Sequence, residues 1–121
     1  MSVRKYLADH IRPLLPTGWV FYDHDRSLST VGKTTALLMH TRIEPGPQQG
    51  VLTHTVALTV VEPTQVEGHM DDRLDDVLED LIPLLRLIPN VQFVSAERAA
   101  YPANDPAYPA WSIQLTVQTT A

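Results

Sequence analysis

Residues 70–87 read MDDRLDDVLEDLIPLLRL. They lead through IPN (88–90) into VQFVSAER (91–98), the proline-rich AAYPANDPAYP (99–109) and AWSIQLTVQ (110–118). Leu74, Val77, Leu78, Leu81, Ile82 and Leu85 recur at the spacing that lays one apolar stripe along a helix. Asp71, Asp72, Asp75, Asp76, Glu79 and Asp80 fill the opposite side. Acids early in a helix and a base such as Arg86 near its end both suit the helix dipole. Pro83 works against the pattern, because an interior proline costs a helix about 3 kcal/mol or more. Either the helix kinks there or a second short turn begins, and Pro89 and Asn90 end it. In the last run Trp111, Ile113, Leu115 and Val117 alternate, so one face of that strand is expected to be buried. The second half of the chain therefore reads as a helix followed by a strand hairpin.

Working towards the start, VLTHTVALTVVE (51–62) is the longest strand candidate. Leu52, Val56, Leu58 and Val60 share one face with His54. TTALLMHTRIE (34–44) alternates as well, with Leu37, Met39, Thr41 and Ile43 on one face and Lys33, Ala36, Leu38, His40 and Arg42 on or flanking the other. The turn PGPQQG (45–50) between them predicts an antiparallel hairpin. WVFYD (19–23) is rich in aromatic and β-branched residues and reads as a first strand. Before it, Val3, Leu7 and Ile11 repeat at a helical interval, Ser2 is placed to cap that helix, and Pro13 should stop it. The element order is α-β-β-β-α-β-β. It predicts an α+β fold, an antiparallel or mixed sheet with two helices packed on one face.

At 121 residues the chain is expected to form one domain, residues 1–121, with a single core. Cysteine is absent, which removes disulfides and thiolate metal sites. The opening MSVRKYLADHIRPLL is interrupted by Asp9, His10 and Arg12, so it does not read as a signal peptide. No apolar run approaches the ~20 residues needed to cross a bilayer. Fourteen acidic against nine basic residues give a formal charge of −5. That argues against binding nucleic acid by neutralising phosphates.

Three local patterns invite a chemical reading. Gly32-Lys33-Thr34 ends like a phosphate-binding loop, but the first glycine of that motif would fall on Ser27, and a strand rather than a helix follows. Tyr22-Asp23-His24-Asp25 gathers two carboxylates and an imidazole, but neighbours along a strand point to opposite faces, and a solvated turn accounts for them. The five histidines, His10, His24, His40, His54 and His69, lack the spacing of a helical ligand pair. No serine or threonine lies in a nucleophile elbow. No catalytic, cofactor or metal residue is expected. The acidic helix side is either a solvated face or an electronegative surface that repels DNA or meets a basic partner. Tyr101, Tyr108 and Trp111 either pack the hairpin or flank a docking loop.

Several stretches together resemble the tail terminator proteins of long-tailed bacteriophages, those of actinobacterial phages in particular. They are LLPTGWVFYD (14–23), the Ile43-Glu44-Pro45 turn, VALTVVEP (56–63), DDRLDDVLEDLIPLL (71–85) and VSAERAAYPANDPAYPAWSIQLTVQ (94–118). The likeness is one of element order and residue character over nearly the whole chain. It implies an α/β subunit of a homo-oligomeric, hexameric ring at the head-proximal end of the tail, in the neck of the virion and in the host cytoplasm during assembly. Such a ring stops polymerisation of the tail tube protein and docks the head-tail connector protein, with the tape measure protein as a further neighbour. DNA passes through its lumen without specific binding. It involves no cofactor, no catalysis and no membrane. Asp71, Asp72, Asp75, Asp76, Glu79 and Asp80 are the expected lumen or inter-subunit face. Pro45, Gly46 and Pro47, with Tyr101, Pro102, Asn104, Asp105, Pro106 and Tyr108, are the expected docking loops. The alternatives open here are another neck component, a head-completion or connector protein, and a small nucleotide-binding protein.

Overall fold

Ser2 begins the first helix by accepting the backbone N–H of Lys5 on its hydroxyl at 3.3 Å. Helix α1 spans Val3–Ile11 and buries Val3, Leu7, Ala8 and Ile11. Pro13 cannot continue the helical hydrogen bonds, and the chain tightens into a 3-10 turn over Arg12–Leu14. Five strands and a second helix follow: β1 (Val20–Tyr22), β2 (Thr35–Pro45), β3 (Val51–Val61), α2 (His69–Leu85), β4 (Val91–Tyr101) and β5 (Tyr108–Thr120). The structure, a computed structural model, describes residues 2–23, 34–62, 69–101 and 108–120, without the side chains of 69–74, 100–101 and 108–109.

The strands form one sheet in the order β1-β2-β3-β5-β4. β1 runs parallel to β2, and every other neighbouring pair is antiparallel. The protein is therefore α+β, with two helices and a five-stranded mixed sheet. Ala36, Leu38, Val56, Leu58, Val60, Ile113, Leu115 and Val117 share a sheet face and bury in one cluster with the α1 stripe and with Leu78, Leu81 and Leu85 of α2. Each of the valine, leucine and isoleucine side chains contributes about 1.5–3 kcal/mol when it leaves water. Tyr6 of α1 also donates its hydroxyl to the Pro89 carbonyl at 2.6 Å, tying the first helix to the turn after the second. Asn90 in that turn takes a left-handed φ of 66°, which asparagine tolerates better than most residues.

On the other sheet face Leu37, Val61 and Ala110 bury with Tyr22 packed against them. Beyond this patch the face is polar, and Thr41, Ser95, Glu97, Ser112 and Gln114 line an open groove with Ala57.

One expectation from the sequence needs correction. Strict alternation placed Leu37, Met39, Thr41 and Ile43 together. The β2–β3 register instead slips between His40 and Arg42. Leu37 and Met39 sit opposite Thr59 and Ala57, on the polar face, whereas Ile43 sits opposite His54, on the helix-bearing face. The surplus residue is Thr41, whose hydroxyl donates to the Thr55 carbonyl at 3.1 Å. A bulge of this kind adds one residue to one strand and reverses its facing from there on. A second slip lies between Phe93 and Ser95.

Of the two readings of Pro83, a kink or a second short turn, the second does not hold: α2 is continuous to Leu85 with Pro83 inside its last turn. Pro83 is exposed while Leu81 and Leu85 on either side are buried. The unpaired carbonyl one turn back can therefore face water, and burial of the two leucines holds the turn in place.

Candidate functional site

The expected acidic face is divided by the fold. Asp76, Glu79 and Asp80 are exposed on α2. Asp75 is not part of that solvated face: it is half-buried and its carboxylate accepts the indole N–H of Trp111 at 3.0 Å. The reason is geometric. Asp75 precedes Leu78 and Ile82 by three and seven residues, which places it on the flank of the buried stripe. Together Asp75, Leu78, Glu79 and Ile82 form a groove against Ala96 and Trp111. The Arg98 guanidinium lies 5.7 Å from the Trp111 ring centre, within reach of a cation–π contact. Asp71 and Asp72 belong to α2 by backbone, but their side chains lie outside the described residues.

The expected docking loops also change. Pro45 is a strand residue, paired with Leu52 at the end of the β2–β3 hairpin. The turn beyond it is tight: the Gly46 N–H donates to the Val51 carbonyl at 2.7 Å, and the Val51 N–H donates to Gln48 at 3.2 Å. A Cβ on Gly46 would lie 2.6 Å from a Val51 methyl and 3.0 Å from its carbonyl oxygen, so only glycine fits. Pro47 is exposed beside it. Tyr101 and Tyr108 are not loop residues either, since their backbones form the last rung of the β4–β5 ladder. Pro102, Asn104, Asp105 and Pro106 lie outside the described residues.

The register fixes where these two connections sit. Pro45 is level with Leu52, and Leu52 with Thr119, so the 45–50 turn lies at the end of the sheet where β5 finishes. Thr35 is level with Val61, and Val61 with Ala110, two residues from the Tyr101–Tyr108 rung. The 45–50 turn and the Tyr101–Tyr108 rung therefore lie at opposite ends of the sheet. Eleven-residue strands such as β3 separate them by about 35 Å.

The residues suspected of nucleotide chemistry hold no such arrangement among those described. Thr34 leads into strand β2 rather than a helix, and its hydroxyl donates to the Glu62 carboxylate at 3.0 Å, both groups being buried. The second Glu62 oxygen has no hydrogen-bond partner among the described residues. Ser27, Gly32, Lys33, His24 and Asp25 lie outside them. Asp23 follows β1 in a bend.

One cluster was missed by spacing along the chain. His54 is buried, with its Nδ1 3.1 Å from His40 Nε2 and its Nε2 2.8 Å from the Thr119 hydroxyl. Burial, the neighbouring His54 and then Arg4 hold the His40 pKa below the ordinary histidine value. The Thr41 bulge makes this meeting possible. With Thr41 paired in regular register, His40 would sit opposite Ala57 on the polar side of the sheet, away from His54. Hairpin arithmetic around the 45–50 turn brings residues 40 and 54 near one another, but only the bulge brings them to the same face.

Compared with known proteins, the chain matches no protein-family model and no curated protein sequence.

Proposed function

We propose that the chain is a structural subunit of the tail-terminator type, built in the order α-β-β-β-α-β-β with both helices over one sheet face. In this reading it assembles as a homo-oligomeric, hexameric ring at the head-proximal end of a phage tail. The ring stops addition of tail tube protein and docks the head-tail connector protein. The observation that carries the reading is the placement of the 45–50 turn and the Tyr101–Tyr108 rung at opposite ends of the sheet. One subunit can then touch the tube with one end and the connector with the other, with its flanks left for neighbouring copies.

Exposed acids on α2 support the same reading. Asp76, Glu79 and Asp80 leave a surface that repels phosphates, which suits a lumen that DNA must traverse without sticking. Among the described residues no helix is long and apolar enough to cross a membrane.

The test is reconstitution. The purified chain is mixed with its cognate tail tube protein and imaged by negative stain. Rings capping one end of tubes of limited length are expected. Uncapped tubes that grow without limit beside free monomers would overturn the reading. Deleting the gene should give overlong, headless tubes, and tails of normal length would count against it. A cryo-EM position on the head side of the connector would assign the chain to a different neck component.

A further inference from the structure

His40 and His54 lie on neighbouring strands of the β2–β3 hairpin, and their facing nitrogens, Nε2 and Nδ1, are 3.1 Å apart. Two imidazole nitrogens this close can share at most one proton between them. A tetrahedral zinc ion with bonds of 2.0–2.1 Å holds two ligating nitrogens about 3.3–3.4 Å apart. The observed gap is thus within a few tenths of an ångström of the separation that a common metal ion requires. The ring centres are 5.1 Å apart, with planes inclined at 47°. That centre-to-centre distance is shorter than a head-on approach of the nitrogens would leave. At least one lone pair is therefore tilted off the line between them, as convergence on a third atom demands.

His54 is also held as a ligand would be. Its far nitrogen, Nε2, meets the Thr119 hydroxyl of β5 at 2.8 Å. A metal-ligating histidine almost always donates its remote N–H to such a partner, which fixes the tautomer and aims the other lone pair. With Nε2–H donating to Thr119, the Nδ1 lone pair is left facing His40.

We propose that His40 Nε2 and His54 Nδ1 form a binding site for a borderline-soft divalent transition-metal ion of the zinc type, completed by water on the half-exposed His40 side. No group of three or more histidine, cysteine or acidic side chains that could hold a metal is present among the described residues. The site thus has two protein ligands, and its affinity is expected in the micromolar range rather than that of a closed structural zinc site. Two imidazoles and no carboxylate select zinc, copper or nickel over magnesium and calcium, which prefer oxygen. Binding replaces the N–H···N hydrogen bond: His40 moves its proton from Nε2 to Nδ1, and the ion takes the vacated lone pair. No proton is lost from the neutral rings. The bound ion would join β2 to β3 directly beside the Thr41 bulge, where the ladder is interrupted.

The experiment uses the untagged full chain, stripped with chelator and returned to chelator-free buffer at neutral pH. It is titrated with Zn2+ by calorimetry and with Co2+ by visible absorption. One equivalent should bind saturably, while Mg2+ and Ca2+ give no response. Ring 15N shifts should move at His40 Nε2 and His54 Nδ1. His40→Ala should weaken Zn2+ binding at least tenfold with the circular dichroism spectrum unchanged. The triple variant His10→Ala, His24→Ala, His69→Ala should bind as the parent does, which keeps the test decisive even if substitution of buried His54 prevents folding. No saturable binding at millimolar Zn2+, binding that survives in His40→Ala, or binding that is lost in the triple variant would each overturn the proposal. In the first case the two rings are a hydrogen-bonded pair and nothing more.

Discussion

Trp111 of β5 donates its indole N–H to the Asp75 carboxylate of α2 across 3.0 Å, so one side-chain bond fastens the acidic helix to the sheet. A hydrogen bond to a charged acceptor contributes more than a neutral one. Trp111→Phe keeps an aromatic ring near Leu78 and Ile82 but removes the donor together with part of the ring volume. It should lower stability by about 1–2 kcal/mol, read as a shift in the urea midpoint followed by circular dichroism. Asp75→Ala should cost a similar amount, whereas Asp76→Ala, one position along and exposed, should cost less than about 0.5 kcal/mol. Equal effects at positions 75 and 76 would show that the indole bond does not hold the helix.

The hairpin turn gives a second outcome. Gly46→Ala drives a methyl into the Val51 backbone and side chain, and should destabilise the chain by about 1–3 kcal/mol through overpacking. Gly50→Ala meets no neighbour but must hold a φ of +82°, so it should cost about 1–2 kcal/mol. Thermal melts of both variants would separate crowding from backbone strain, and a harmless Gly46→Ala would contradict the close approach described at Val51.

Pro83 stands inside the last turn of α2 with its ring exposed. Pro83→Ala restores a backbone donor to the helix and removes a steric conflict, and is expected to stabilise the fold by about 1–3 kcal/mol. A loss of stability on chemical denaturation would mean that the proline sets a bend on which the burial of Leu81 and Leu85 depends.

Acid should weaken the fold through His40. Its folded pKa is lowered from the ordinary 6.5, by burial first and then by His54 and Arg4. The unfolded chain therefore takes up a proton at this position before the folded chain does. The His40 contribution is fully present above pH 6.5 and falls away as the pH drops from 6.5 through the lowered folded value. Denaturation midpoints of the chelator-treated chain between pH 8 and pH 5 should decline in that window. The decline should be shallower in His40→Gln. An identical pH dependence in that variant would remove His40 as its source.

The exposed acids separate folding from assembly. Neutralising Asp76, Glu79 and Asp80 together to Asn, Gln and Asn should leave stability within about 0.5 kcal/mol or raise it slightly, since like charges at positions 76 and 80 repel along the helix. If those acids face a DNA channel, the same variant should form rings that retain DNA in a salt-dependent way, measured by co-sedimentation with duplex DNA. Rings that ignore DNA as the parent does would detach the acidic face from that role.

The parts of the fold legible in the sequence are those set by local periodicity. The α1 stripe with its Ser2 cap, the burial of Ile113, Leu115 and Val117, and the hairpin at 45–50 all follow from spacing and turn chemistry. What escaped was decided by register and by contacts distant in sequence. Nothing local marks Thr41 as a surplus residue, yet that residue decides which face His40 and Ile43 occupy. Asp75 was readable in principle, because it stands one turn before Leu78 and two before Ile82, but counting it among six acids hid its place at the stripe's edge. Pro83 stays helical because tertiary burial of its neighbours outweighs its own preference.

In a strand, facing is a matter of odd and even count, and Thr41 changes the count partway along β2. The part before it, Thr35 to His40, and the part after it, Arg42 to Pro45, obey opposite parities against the same partner strand. Substitutions that tune the tip of the hairpin can thus follow their own rule without disturbing how Ala36 and Leu38 enter the core. Removing that one residue would bring both segments under a single parity: His40 and Arg42 would become consecutive opposite Val56 and Thr55, and the ladder would straighten with every facing kept. The position carries neither charge nor bulk, and its effect is to let two stretches of opposite count present one continuous pattern of faces to the same partner strand.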